Sequence, residues 1–195
     1  MATKIMLKGI TMAFPALADP QAFGDGEPAY GAKFPVVPNS EHQRLIEQAI
    51  LAEAKEAWKD KADSVLSMLI EDGKVAFQKK VYRSKKTGEA YAGFEGAHYL
   101  SARNAKTQPT VFNQYGEPLS SKADIERQAY SGALVNASVE VWAQDSAKWG
   151  RRINCTLRGV MLTGEGQNFG GSAAPASADE FAELAKAKAE ADDVL

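Results

Sequence analysis

Two runs of alternating apolar and polar residues between Tyr130 and Leu162 restrict the fold more than any other part of the chain. In the first, Val135, Ala137, Val139 and Val141 share one face while Asn136, Ser138, Glu140 and Trp142 share the other, the period of two that marks a half-buried strand. In the second, Ile153, Cys155, Leu157 and Met161 alternate with Arg152, Asn154, Thr156 and Arg158. The stretch between them, residues 144–150, is polar and ends in glycine, which predicts an antiparallel hairpin with a loop of several residues. Its inner face belongs to a core. Its outer face carries Trp142, Arg152, Asn154 and Arg158, a mixture suited to a polyanion and equally common on a solvated strand.

The remaining elements follow from similar patterns. Residues 3–14 alternate loosely through Ile5, Leu7, Ile10, Met12 and Phe14, a strand in which Gly9 breaks the phase as a bulge does. Residues 15–28, rich in Pro, Gly and Asp, predict a loop. Residues 30–37 form a short strand that Pro35 pushes toward an edge or an early end. Ser40 followed by Gln43 is a helix start, and Leu45, Ile46, Ala49, Ile50, Ala54, Ala57 and Trp58 then give a helical apolar stripe that packs on the sheet. A second helix is predicted through Val65, Leu66, Met68 and Leu69, a short strand at Thr110–Phe112, and a brief helix within residues 120–129.

Residues 74–106 change the chemistry. They hold eight bases and two acids, a formal +6, interleaved with Phe77, Tyr82, Tyr91, Phe94 and Tyr99. The run around Lys86, Thr87 and Gly88 predicts a projecting basic hairpin carrying Lys79, Lys80, Arg83, Lys85 and Lys86. The next strand, from His98 to Arg103, places Leu100 and Ala102 inward and Tyr99, Ser101 and Arg103 outward. Single-stranded nucleic acid needs cations for its phosphates and flat faces for its bases. The candidate contacts are therefore Lys79, Lys80, Tyr82, Arg83, Lys85, Lys86, Tyr91, Phe94, Tyr99, Arg103 and Lys106, with Trp142, Arg152 and Arg158 from the outer face of the hairpin.

The net charge of −2 disguises this surface. Residues 164–195 hold seven acids and two bases, or −5, which leaves 21 bases and 18 acids, or +3, in residues 1–163. Such asymmetry marks an interaction tail. The expected division is a folded domain over residues 1–163 and a flexible acidic tail over residues 164–195, with a linker at residues 164–172 and a possible helix cap at Ser177 and Glu180. The lone Cys155 lies on an apolar strand face and reads as a small buried hydrophobe. No charged-then-apolar leader and no membrane-length apolar run is present, so neither export nor a membrane partner is expected. Without metal-ligand spacing, a G-x-x-x-x-G-K-S/T phosphate loop or a tight carboxylate cluster, no enzyme and no cofactor is expected.

The segments around Tyr91–Leu119 and Tyr130–Gly164 are similar to a family of tailed-phage single-stranded-DNA-binding proteins, and the order of elements matches over most of residues 3–163. The resemblance implies a mainly β protein with α insertions: a five-stranded Greek-key OB barrel, one packed amphipathic helix and the basic hairpin. It further implies binding of single strands in phage replication and recombination, in the cytoplasm of the infected bacterial host. Replication or recombination proteins would dock on the C-terminal Asp192, Asp193, Val194 and Leu195. The competing expectation is a β-barrel virion structural or assembly protein, which shares the strands but has no need of the +6 window.

Overall fold

The computed structural model describes residues 2–22 and 26–169. Its elements run β1 (Thr3–Thr11), β2 (Ala13–Gln21), β3 (Ala29–Val36), α1 (Glu41–Trp58), α2 (Ala62–Glu71), β4 (Phe77–Gln78), β5 (His98–Asn104), β6 (Thr110–Phe112), α3 (Lys122–Gln128), β7 (Ala133–Ser146) and β8 (Gly150–Gly166), with a 3-10 turn at Lys59–Lys61 joining the first two helices. The strands form two four-stranded sheets, β1-β7-β8-β6 and β2-β3-β5-β4.

The two sheets face each other across one core. Leu7, Val135, Ala137, Val139, Ile153 and Leu157 fill it from the first sheet, and Phe34, Leu100 and Ala102 from the second. At one seam the chain itself joins the sheets: it bends at buried Met12 out of β1, whose partner is β7, into β2, whose partner is β3. At the other seam β5 lies against β8, and Asn104 Nδ2 donates to Leu157 O at 3.2 Å. The continuous β1–β2 strand with β3, β5, β7 and β8 thus makes a five-stranded barrel of the OB type, open along the β5–β8 seam.

Helix α1 begins where the sequence signals it. Ser40 Oγ accepts from Gln43 N at 3.3 Å, and Gln43 Oε1 accepts in turn from Asn39 N at 3.0 Å, so two otherwise unpaired donors are satisfied. The helix buries Ile46, Ala49, Ile50, Ala54 and Trp58 over β1 and β7. Glu53 is buried with them and accepts a hydrogen bond from Thr3 Oγ1 at 2.6 Å. Trp58 Nε1 donates to Asp145 Oδ2 at 2.9 Å, tying the helix end to the β7–β8 hairpin.

Four expectations change. Residues 15–28 are not all loop, because β2 continues to Gln21; it is an edge strand with an interrupted ladder, and Pro15 and Pro20 are tolerated there. The hairpin loop is tighter than residues 144–150, since pairing reaches Ser146 opposite Gly150. Ser138 pairs with Gly159 and Val139 with Leu157, which leaves Arg158 as an extra residue, so Val160 and Leu162 face the core and Met161 does not. The basic stretch contains no two-stranded hairpin: after the two residues of β4 it is a loop closed by a single bridge, Arg83 to Ala90, and a turn in which Ser84 N donates to Glu89 O at 2.8 Å.

The segment expected as a linker is partly anchored. Gly164 to Gly166 complete β8, Phe169 N donates to Ser131 O at 2.8 Å, and the Phe169 ring lies so close over Gly93 that a Cβ there would meet it at 2.3 Å. The expected helix cap at Ser177 and the docking residues Asp192, Asp193, Val194 and Leu195 lie outside the described residues.

Candidate nucleic-acid interface

The outer face of the second sheet is where the aromatic residues meet. Alternation along β5 turns Leu100 and Ala102 into the core and leaves Tyr99 and Ser101 outside, and β3, paired with β5, presents Lys33 directly opposite Ser101. The loop after β4 folds back over this face and supplies Tyr82, Tyr91 and Phe94. Tyr82 stacks on Tyr91 with ring centroids 4.9 Å apart, and Tyr99 tilts against Tyr82 at 5.0 Å. Phe14 closes the group with edge contacts to Tyr91 at 5.0 Å and Tyr82 at 5.8 Å. It does so from a left-handed backbone, φ 49°, with its N–H donating to Ser131 Oγ at 3.2 Å. A bulky residue held there is strained, and the strain aims its ring into the cluster.

Lys33 sits at the centre. Its Nζ lies 4.5 Å from the Tyr82 ring centroid and 5.1 Å from that of Tyr99, and donates to Ser101 Oγ at 2.7 Å. Burial, with the Arg103 cation nearby, lowers its ammonium from 10.5 to about 8. Burial also raises the phenols of Tyr82 and Tyr99, each helped by a neighbouring tyrosine, so both remain neutral stacking surfaces at physiological pH. The cluster therefore offers half-exposed π faces around one partly desolvated cation. Among the described residues no carboxylate is in contact with Lys33, and a phosphate is a partner that suits it.

The sequence candidates separate into three places. Tyr82, Tyr91 and Tyr99 are brought together as partly exposed rings. Phe94 joins them but is fully buried, so the expectation that it contacts nucleic acid is revised: it is the floor on which Phe14, Tyr82 and Tyr99 pack. Around the cluster, Arg83, Lys85 and Lys86 are exposed in the loop, Arg103 Nη2 donates to Glu27 O at 3.1 Å, and Lys106 is exposed just beyond β5. Lys79 is drawn away by an ion pair with Glu47 at 2.6 Å, and both it and Lys80 line a cleft between α1, α2 and β4. Trp142, Arg152 and Arg158 lie on the outer face of the other sheet, where Trp142 Nε1 donates to Thr156 Oγ1 at 3.0 Å.

Two residues of the cluster escaped the sequence reading. Lys33 stands alone among apolar residues in its strand, and only the β3–β5 register opposite Ser101 shows its place. Phe14 reads as the end of an apolar run, and nothing local marks its positive φ.

A five-stranded open barrel with half-exposed tyrosines and a lysine on one sheet is an OB-fold protein bearing a stacking surface. The chain belongs to the family described as the ssDNA-binding protein of Enterobacter phage Enc34, whose profile matches residues 3–195. No curated protein matches it. Among solved structures, it is similar to the single-stranded DNA-binding protein from bacteriophage Enc34 in complex with ssDNA, with 24% identity over 86% of this chain and 89% of that one and a TM-score of 0.69. It is also similar to gp2.5, a single-stranded DNA binding protein encoded by bacteriophage T7, with 13% identity over 94% of each chain and a TM-score of 0.52.

Proposed function

We propose that this chain is a sequence-nonspecific single-stranded-DNA-binding protein that protects and organises single strands during phage replication and recombination, in the cytoplasm of the infected host. The observation that carries the reading is the cluster of Tyr82, Tyr91 and Tyr99 around Lys33. Three rings offer faces to unstacked bases of any identity, and the lysine offers charge to the phosphate between them. The family membership supports it. The role is binding rather than catalysis. Among the described residues no group of three His, Cys, Asp or Glu is placed to hold a metal ion, and no helix is long and apolar enough to cross a membrane.

The division into a binding domain and an acidic tail is part of the proposal. Phe169 is held beside Ser131 and Gly93 at the edge of the cluster, and residues 170–195 beyond it carry six acids and two bases. A tail starting there competes with DNA for the cations and, once displaced, offers Asp192, Asp193, Val194 and Leu195 to replication or recombination proteins. The purified protein is expected to be retained on immobilised single-stranded DNA at moderate salt and released at high salt. Flow-through at moderate salt would favour a virion structural or assembly role instead.

A further inference from the structure

The outer face of the other sheet carries a groove of about 500 Å³, on the far side of the barrel core from the tyrosine cluster. The strand register lays out its floor. Met6 on β1 pairs with Ser138 on β7, Ser138 with Gly159 on β8, and Gly159 with Thr110 on β6. In the next row Asn136 pairs with Met161, and Met161 with Phe112. Small residues thus lie between two thioethers and an aromatic ring, and Met6 is 47% exposed.

Two β-bulges bring cations to this floor from either side of β7. The bulge in β1 between Leu7 and Ile10 contains Lys8. It is pinned twice: Gly9 N donates to Asn136 Oδ1 at 2.9 Å, and His42 Nε2 from the start of α1 lies 2.8 Å from Lys8 O. The bulge in β8 leaves Arg158 without a partner on β7. Bulges re-aim side chains at functional surfaces, and here both line one groove with a cation. Neither side chain forms an ion pair among the described residues, and no carboxylate lines the groove. Two uncompensated cations over a thioether and aromatic floor match a nucleotide, with phosphate to the cations and base to the floor.

A route connects this groove to the cluster. Strand β5, which bears Tyr99 and Arg103, leads through exposed Lys106 to β6, whose Thr110 and Phe112 line the groove. The connection crosses the open β5–β8 seam, where Asn104 holds the two sheets together. We propose that a single DNA strand bound at the tyrosine cluster continues over Arg103 and Lys106 into the groove between Lys8 and Arg158, so that the strand wraps around the barrel and contacts both sheets.

This rests on the proposed reading of the cluster as a single-strand site, and oligonucleotide length separates the two claims. With the full chain, the dissociation constants of an oligothymidylate of about five nucleotides and one of about twenty are compared over a range of salt concentrations, within and beyond the span of one barrel face. In a Lys8→Glu, Arg158→Glu double variant the short oligonucleotide binds as in wild type. The long one loses roughly tenfold in affinity, and its salt slope falls by about two. A Lys8→Gln, Arg158→Gln variant shifts the long oligonucleotide in the same direction by less, and decides the matter if charge reversal unfolds the protein. Unchanged long-strand affinity and slope overturn the wrapped path, even if the variant alters self-association. Equal losses on both lengths also overturn it, because they would make the two cations part of a general field rather than a second contact. Failure of the wild type to bind the short oligonucleotide would instead count against the cluster as the primary site.

Discussion

Lys33 shows how much one side chain takes from its surroundings. A lysine on the outer face of a strand ordinarily keeps most of its charge up to about pH 10; burial under Tyr82 and Tyr99, with Arg103 nearby, brings this one to about 8. The folded pKa lies below the unfolded one. The burial penalty on the charged form is thus fully present below about pH 8 and relieved as pH rises toward 10.5, so stability rises with pH across that window. Binding has the opposite sign: a phosphate beside Lys33 favours the ammonium, so affinity for single strands should fall between pH 7 and pH 9.5. Lys33→Met should bind more weakly at pH 7 and lose most of that dependence, which titrations at the two pH values will show. The sequence could not rank Lys33 above its neighbours, since its pKa depends on rings 49 and 66 residues away. Cys155 was legible from its strand face alone: it is buried and its thiol is pushed up to about 12, which leaves it inert in the native state.

Among the elements, those defined by periodicity were readable and those defined by pairing were not. The helices α1, α2 and α3 and the strands β5, β6, β7 and β8 follow from caps and alternation. Strand β2 was hidden because an edge strand with few ladder bonds tolerates the prolines that signal a loop. The phase of Met161 was hidden because one extra residue, Arg158, turns the rest of β8 over. Of the basic hairpin only the turn was legible: Arg83 bridges Ala90 and Ser84 N donates to Glu89 O, while the arms on either side are loop rather than paired strands. The β3–β5 pair that carries the site has its own requirement at Gly31, where an added Cβ would come within 2.6 Å of Ala102 O. Gly31→Ala must therefore spread the two strands under Lys33 and Arg103. The expected cost is about 1–3 kcal/mol of stability, read as a lower denaturation midpoint with weaker DNA binding in the fraction that remains folded.

For the whole molecule, charge distribution matters more than net charge. The body of the chain is formally +3 and residues 164–195 are −5, and the last described residue of that segment lies beside the aromatic cluster. A tethered competitor acts at high effective concentration even when its intrinsic affinity is low, and its effect is screened over about 10 Å at 0.1 M salt. Cutting the chain after Gly171 should therefore tighten binding to single strands, more at low salt than at high. An unchanged or weaker affinity at low salt would leave the tail as a partner-docking or solubilising segment only.

The central claim is that unstacked bases bind on the tyrosine cluster of the β3–β5 face. It is tested most directly by comparing the affinity of wild type, Tyr91→Ala and Tyr99→Ala for a single strand and for a duplex of the same length. Wild type should prefer the single strand, because a duplex offers phosphates but keeps its bases stacked. Each substitution should cost about 1–3 kcal/mol on the single strand, leave the weaker duplex binding nearly unchanged and shift the melting temperature little. Equal affinity of wild type for both forms, or tyrosine variants that remain folded and bind single strands as tightly as wild type, would contradict the account.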